Sequence, residues 1–360
     1  IKSTINAGYI VNIAKEISSQ RVSEIYYTHR WTKEILTSKN LAEAGVFYFG
    51  NKFRKSKYKK IQYYFDKIEN KWREADLTDY IKLIDTELKE RIKPLLKEDD
   101  GKKMENKFET VISNNIDSFI KFFGAYIDKI EETDFNNNKN LLFFKNGHYD
   151  FNEKCFKYVK SQEYFNTKCI DFDYLNTTNK KKQYLIDFFR KIFPYEEDFT
   201  ILKNVWGTAY TGTAQKYILF IVGNGDNGKS AMFPLLQEAF GSYACNSTTS
   251  ILTEEIGPIK SRNDIAPLHN ARFVVIQEPD TTKELNPASV KILTGSDIIE
   301  SRLQFSKESL KFIFHGLINT SGNKYPNMNE GDGAVFNRLI PIIAPSQFKK
   351  QNEYDKIEDK

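Results

Sequence analysis

The sequence predicts an α/β protein: a domain with a central parallel sheet in the second half, preceded by a mainly helical α+β N-terminal region. Three observations predict it. The second half alternates short apolar runs with helix-like segments, the order that parallel strands and crossover helices impose. A glycine-rich segment stands where one of those runs passes into a helix. The first half lacks this alternation and mixes helical spacing with aromatic-rich segments.

The 360 residues are 40% hydrophobic and 28% charged, the composition of a globular protein long enough for about two or three domains. No run approaches the roughly 20 apolar residues of a membrane span. The net charge of +5 permits a nucleic-acid partner without requiring one. Cys155, Cys169 and Cys245 are far apart, so they form neither a disulfide framework nor a Cys-x-x-Cys metal site and point to a reducing compartment. The chain starts at Ile1 rather than Met, and we expect a piece of a longer protein.

In the first half, Thr78 to Ile92 reads as a helix with Thr78 as its cap and Pro94 at its end. Ser113 to Glu132 reads as a second helix, weakened by Gly124. Leu141 to Phe144 followed by Asn146-Gly147 reads as a hairpin, because Asn and Gly tolerate positive φ. Asn176 to Lys182 is a polar linker, and Tyr184 to Phe193 an amphipathic helix. These signals divide the chain at residues 1–134, 135–195 and 196–360.

In the last of these segments, Tyr217 to Val222 is a buried strand and Lys229 to Phe240 a helix stopped by Gly241, with Pro234 in its early turns. Phe273 to Ile276 and Phe312 to Ile318 are further strands. Asn286-Pro287 caps and opens a helix that Gly295 ends. Leu339 to Ile343 is a strand that Pro341 confines to an edge.

The segment Gly223-Asn224-Gly225-Asp226-Asn227-Gly228-Lys229-Ser230 fits G-x-x-x-x-G-K-[ST], between a predicted strand and a predicted helix. Glycines let backbone N–H groups face phosphates closely, and the helix N-terminus adds a favourable dipole. Lys229 then reaches the β- and γ-phosphates of ATP and Ser230 ligates Mg²⁺. Such a site needs an acid at the end of a nearby strand. Arg272 to Ile276 ends at Gln277-Glu278-Pro279-Asp280, and Glu278 is the choice. A pair of acids is more usual there, so Gln277 leaves open which residue supports the metal, and Asp280 is either an assistant or a turn residue.

Three later segments narrow the class. Lys291-Ile292-Leu293-Thr294-Gly295-Ser296-Asp297-Ile298-Ile299-Glu300-Ser301-Arg302 resembles the B′ motif of superfamily 3 helicases. Asn319-Thr320-Ser321-Gly322-Asn323-Lys324-Tyr325-Pro326 resembles their motif C. Asp332 to Leu339 resembles the segment that carries their arginine finger. Together with Leu141 to Asp150, an Asn-Gly element, the chain looks like the poxvirus-type and phage/plasmid primase-helicases over about residues 135–345, and weakly before that.

The resemblance implies a hexameric homo-oligomeric ring of AAA+ type that hydrolyses ATP between subunits and draws single-stranded DNA through its centre, in the host-cell cytoplasm or at a viral replication site. It implies a primase preceding residue 1. The polar sensor is Asn319 by its place at the strand end or Asn323 by the Asn-x-x-Pro spacing; Asn323 is preferred. Arg338 would serve the neighbouring subunit's γ-phosphate. Ile298 to Phe314 looks like the channel hairpin, with Lys307 at its tip and Lys291 nearby as DNA contacts. A Lys there holds phosphate without reading sequence.

The run Lys52 to Lys60 interleaves cations with aromatics, a pattern that binds nucleic acid in some proteins and is a solvated face in most. Two other classes stay open: a P-loop small-molecule kinase, in which the B′-like segment has no role, and a non-catalytic ATP-binding assembly module, to which only Gln277 points.

Overall fold

The computed structural model describes residues 37–92, 98–175, 178–257, 263–280, 282–302, 309–328 and 333–348. The chain forms two compact units, one of residues up to 66 with 72–135, the other of 67–71 with 136 onward.

The first unit is α+β. Helix α1 (Ser38–Phe49) starts where the Thr37 hydroxyl accepts the Asn40 amide. Strands β1 (Phe53–Ser56), β2 (Gln62–Asp66), β3 (Lys71–Glu74) and β4 (Lys129–Ile130) form one sheet in the order β3-β2-β1-β4. Helix α2 (Leu77–Lys82) runs through a π-helical stretch, Leu83–Leu88, into α3 (Lys89–Ile92). The predicted helix is therefore present, but its cap is Asp76, paired reciprocally with Asp79, and not Thr78.

The predicted Ser113–Glu132 helix is replaced by the end of α4 (Glu98–Asn114), a break at Asn115, and α5 (Ile116–Tyr126). Gly124 lies inside α5 beneath the Gln62 amide, which donates to the Ile120 carbonyl at 3.2 Å. Phe53, Tyr80, Leu88, Phe119 and Phe123 fill this unit's core.

The second unit opens with the antiparallel strands β5 (Leu141–Phe144), β6 (Gly147–Asp150) and β7 (Cys155–Lys157). Phe144 pairs with Gly147, so the turn residues are Lys145 and Asn146, one position earlier than the sequence suggests. Gly147 has φ +158, and a Cβ on it would strike the Lys157 carbonyl. Helix α6 (Asn179–Ile192) begins inside the segment predicted as a linker, because the Thr178 hydroxyl caps the Lys181 amide. Helix α7 (Glu196–Ala209) follows.

The sheet of this unit is all parallel. Its strands are β8 (Ile218–Val222), β9 (Ala244–Asn246), β10 (Phe273–Gln277), β13 (Leu317–Gly322) and β14 (Leu339–Ile343), in the order β14-β8-β13-β10-β9. β8 is flanked on both sides and reads as a continuous apolar run, as doubly covered parallel strands do. β14 lies at the edge, where Pro341 loses no ladder bond. Helices α8 (Lys229–Phe240), α9 (Ser250–Thr253), α10 (Pro287–Thr294) and α11 (Gly333–Phe336) complete the unit.

The antiparallel hairpin of β11 (Ile298–Arg302) and β12 (Ser309–Ile313) precedes β13. The single strand predicted over Phe312–Ile318 is thus two, divided at Gly316, where a Cβ would meet the Ala271 carbonyl and the Phe314 ring.

Arg272 ties the start of this sheet to the segment before β5. Its buried guanidinium donates to the carbonyls of Lys139 (3.0 Å), Leu141 (2.7 Å) and Tyr210, and lies over the Tyr243 ring. The aromatic core continues from Leu142 and Phe144 through Phe193 and Trp206 to Phe240 and Phe273. No helix among the described residues is long and apolar enough to cross a membrane.

Candidate functional site

Parallel pairing gathers the carboxyl ends of the strands. Val222 pairs with Gly322 and with Ile343, and Gln277 with Ser321, so the segments leaving β8, β10, β13 and β14 meet at one edge of the sheet. This is where an open α/β sheet presents its ligand crevice. A cleft of about 400 Å³ lies there, lined by Gly225 to Ala231, Gln277, Glu278, Ser321, Asn323 and Phe348, among others.

The phosphate-loop segment adopts the conformation its glycines allow. Asp226 has φ +61 and Gly228 φ +84 at the cap of α8. Gly223 lies against Ala344, where a Cβ would come within 2.3 Å of the carbonyl oxygen, whereas nothing stands within 4 Å of a Cβ at Gly225. Asn227 is buried and donates through Nδ2 to the Ala344 carbonyl at 3.1 Å.

The Lys229 ammonium is buried and donates to the Gly223 carbonyl (2.5 Å) and Asn227 Oδ1 (3.0 Å), with the Asn224 carbonyl at 3.5 Å. Burial pulls its pKa below the ordinary lysine value, and the charge of Glu278 opposes that shift. A cation held by neutral oxygens at the floor of a cleft fits an anionic ligand.

Glu278 follows β10 directly. Its amide donates to the Ser321 carbonyl at 2.8 Å and its φ is +49, a left-handed conformation that is costly for a side-chain-bearing residue. β13 stands between β8 and β10. At about 4.8 Å per strand, the axes of β8 and β10 are roughly 10 Å apart, and the cleft lies between the loop after β8 and Glu278.

The two asparagines are separated by the fold. Asn319 is fully buried: its Oδ1 accepts the Trp206 indole N–H at 3.0 Å and its Nδ2 faces the carbonyls of Val274 (3.1 Å) and Leu317 (3.3 Å). Asn323 is exposed and lines the cleft.

Arg338 is not on this cleft. Its carbonyl accepts the Ile218 amide at 2.8 Å, at the opposite end of β8, and its guanidinium donates to the Ala334 carbonyl at 2.6 Å. Lys291 is half-buried in the last turn of α10, away from the cleft. Lys307 lies outside the described residues, but the arms of its hairpin pair in register, with Glu300 opposite Lys311 and their charged ends 3.3 Å apart. Ser321, which carries no assigned site role within the motif C-like segment, and Phe348 also line the cleft; Phe348 has no local signal, because the return of the chain after β14 brings it there.

Residues 25–193 match the family described as D5 N terminal like. The chain is 31% identical over 235 residues to "Putative helicase 184R" of Invertebrate iridescent virus 6, covering 62% of this chain and 23% of that protein. It is 28% identical over 216 residues to "Putative helicase 121R" of Invertebrate iridescent virus 3, covering 58% and 23%. The chain thus resembles the D5 N-terminal-like family over residues 25–193 and viral proteins described as putative helicases over more than half of its length.

Like those relatives, "Putative helicase L207/L206" of Acanthamoeba polyphaga mimivirus is far longer: at 25% identity over 223 residues, the match covers 61% of this chain and 23% of the mimivirus protein. A solved structure described as the apo C-terminal region of NrS-1 aligns over 51% of this chain and 43% of its own, with 15% identity and a TM-score of 0.35.

Proposed function

We propose that this chain carries the ATP-hydrolysing motor of a DNA helicase from a viral, phage or plasmid replication protein. The observation that carries the reading is the convergence of Lys229, Ser230, Glu278 and Asn323 on one cleft at the carboxyl edge of a parallel sheet.

In this reading the loop N–H groups and Lys229 hold the phosphates of ATP. Ser230 and Glu278 are the residues that would hold Mg²⁺, which when bound neutralises charge on the phosphate oxygens. Glu278 accepts a proton from the attacking water, and Asn323 orients that water. Arg338 faces away from its own cleft and completes the site of a neighbouring copy, as a fixed positive charge on the transition state. That requirement calls for a neighbouring copy, and the resemblance to superfamily 3 helicases makes the assembly a ring, hexameric in the full-length protein. The hairpin of β11 and β12, with Lys307 and Lys291, contacts single-stranded DNA.

The test is ATP hydrolysis by the full chain and by Lys229→Ala, with and without single-stranded DNA, across protein concentration. Turnover that requires Lys229, rises with DNA and steepens with concentration is expected. Phosphoryl transfer to a nucleoside or nucleotide with no response to DNA would favour a P-loop kinase instead. ATP binding without turnover at any concentration would leave a fragment that does not assemble or an ATP-binding assembly module.

A further inference from the structure

We infer that Phe348 is the platform on which the base of the bound nucleotide stacks, which makes this a site for a purine nucleoside triphosphate. The inference rests on the phosphate-loop reading above and adds the far end of the ligand.

After β14 the chain is fastened first to the last residue of β8 and then to the phosphate loop at two points. The Ala344 amide donates to the Val222 carbonyl at 2.8 Å, the Ala344 carbonyl accepts Asn227 Nδ2 at 3.1 Å, and the Phe348 amide donates to the Asp226 carbonyl at 2.6 Å. These bonds fix the ring beside Gly228, the residue at which the loop becomes helix. A Cβ at Gly228 would lie 3.1 Å from the Phe348 ring and 3.0 Å from Ile192.

Phe348 therefore borders the same cleft as Ser230 and Ala231, yet 43% of it is exposed, whereas Phe233 on the adjoining helix is 1% exposed. An aromatic ring held by backbone bonds but left uncovered at the edge of a polar cleft has an open face for a flat partner. The rest of the cleft supplies the anionic end: loop N–H groups, the buried Lys229 ammonium and the Ser230 hydroxyl. A nucleotide has both parts. Stacking on an aromatic tolerates any base and strengthens with ring size, so purines should bind better than pyrimidines.

The experiment is calorimetric titration of the full chain with ATP, CTP and inorganic tripolyphosphate, each with Mg²⁺, using wild type, Phe348→Ala, Phe348→Leu, Phe348→Trp and Lys229→Ala. Phe348→Ala and Phe348→Leu should each weaken ATP about tenfold, in keeping with the cost of losing one base–aromatic stack. Tripolyphosphate affinity should not change in either variant. Phe348→Trp should keep ATP affinity, and the preference for ATP over CTP should shrink in the alanine variant.

Equal losses of ATP and tripolyphosphate would show that Phe348 only braces the loop. Full ATP affinity in Phe348→Leu would show that it is only an apolar cover. Either result overturns the inference while the phosphate-loop reading stands. If wild type binds neither ATP nor tripolyphosphate, or Lys229→Ala binds both as wild type does, the phosphate-loop reading falls and the inference falls with it.

Discussion

Arg338 and Lys229 stand at opposite ends of β8: the Arg338 carbonyl accepts the amide of Ile218, the first residue of the strand, while Lys229 follows the loop that leaves its last. Five residues at about 3.3 Å each put roughly 13 Å of strand between those ends. Arg338 cannot serve its own cleft without dismantling the edge of the sheet. Arg338→Ala should therefore bind ATP as wild type does but lose at least about a hundredfold in turnover. A mixture of Arg338→Ala with Lys229→Ala should regain part of the activity, because the second variant lends its arginine to the first. Robust hydrolysis by Arg338→Ala alone would remove the residue from the reaction.

Asn319 and Asn323 should separate stability from catalysis. Asn319→Leu leaves the Trp206 N–H and two strand carbonyls without their side-chain partner in a dry core, at a cost of about 2–3 kcal/mol. Its melting temperature should fall, with turnover per folded molecule unchanged. Asn323→Ala should melt as wild type and lose turnover. The reverse pattern, measured by thermal unfolding and steady-state hydrolysis on the same samples, would exchange the two assignments.

How far the sequence foretold this arrangement depended on the range of the signal. Gly241 ending α8, Asn286-Pro287 opening α10 and Pro341 marking the edge strand are local: each follows from what a residue does to its own backbone. What separates Asn319 from Asn323 in space is Trp206, which is 113 positions from Asn319 and whose indole no spacing rule points to. Phe348 is in the same position, since only the return of the chain after β14 puts it beside Gly228. The false single strand over Phe312–Ile318 arose because both sides of Gly316 are apolar, and periodicity cannot show that the Ala271 carbonyl fills the space a side chain would need.

His269 gives the second unit an acid-sensitive point. Burial, reinforced by the charges of Lys139 and Lys168, lowers its pKa to about 4, and its ring packs against Phe312 at 5.2 Å. The unfolded chain takes up this proton near the ordinary histidine value of about 6.5 and the folded chain only near 4, so between those values the unfolded state binds more protons. Stability should be full above about pH 6.5 and decline as pH falls to about 4, by on the order of 2 kcal/mol once partial exposure is allowed for. His269→Gln should flatten that part of the melting-temperature profile. An unchanged slope in the variant would mean that the ring is not kept neutral by the fold.

The basic run of the first unit should contribute nothing to DNA binding. Lys57 lies 2.5 Å from Glu131, Lys59 3.7 Å from Glu132 and Lys52 2.7 Å from Glu87, while Arg54 lies over the Trp72 ring. The hydrogen bond that Lys57 donates to Glu131, and after it the charge of that carboxylate, raises the Lys57 pKa, so this ammonium is already matched by an anion. A phosphate would have to displace a carboxylate at Lys52, Lys57 and Lys59, so the net release of counterions there would be small. Were Lys55, Lys57 and Lys59 each on a phosphate, reversing them to Glu would reduce the slope of log affinity for single-stranded DNA against log salt by about 2. We expect the slope for single-stranded DNA to stay as in wild type, with only a modest fall in melting temperature from the broken surface pairs. A reduced slope would show that DNA competes successfully for these lysines and that the first unit is part of the DNA path.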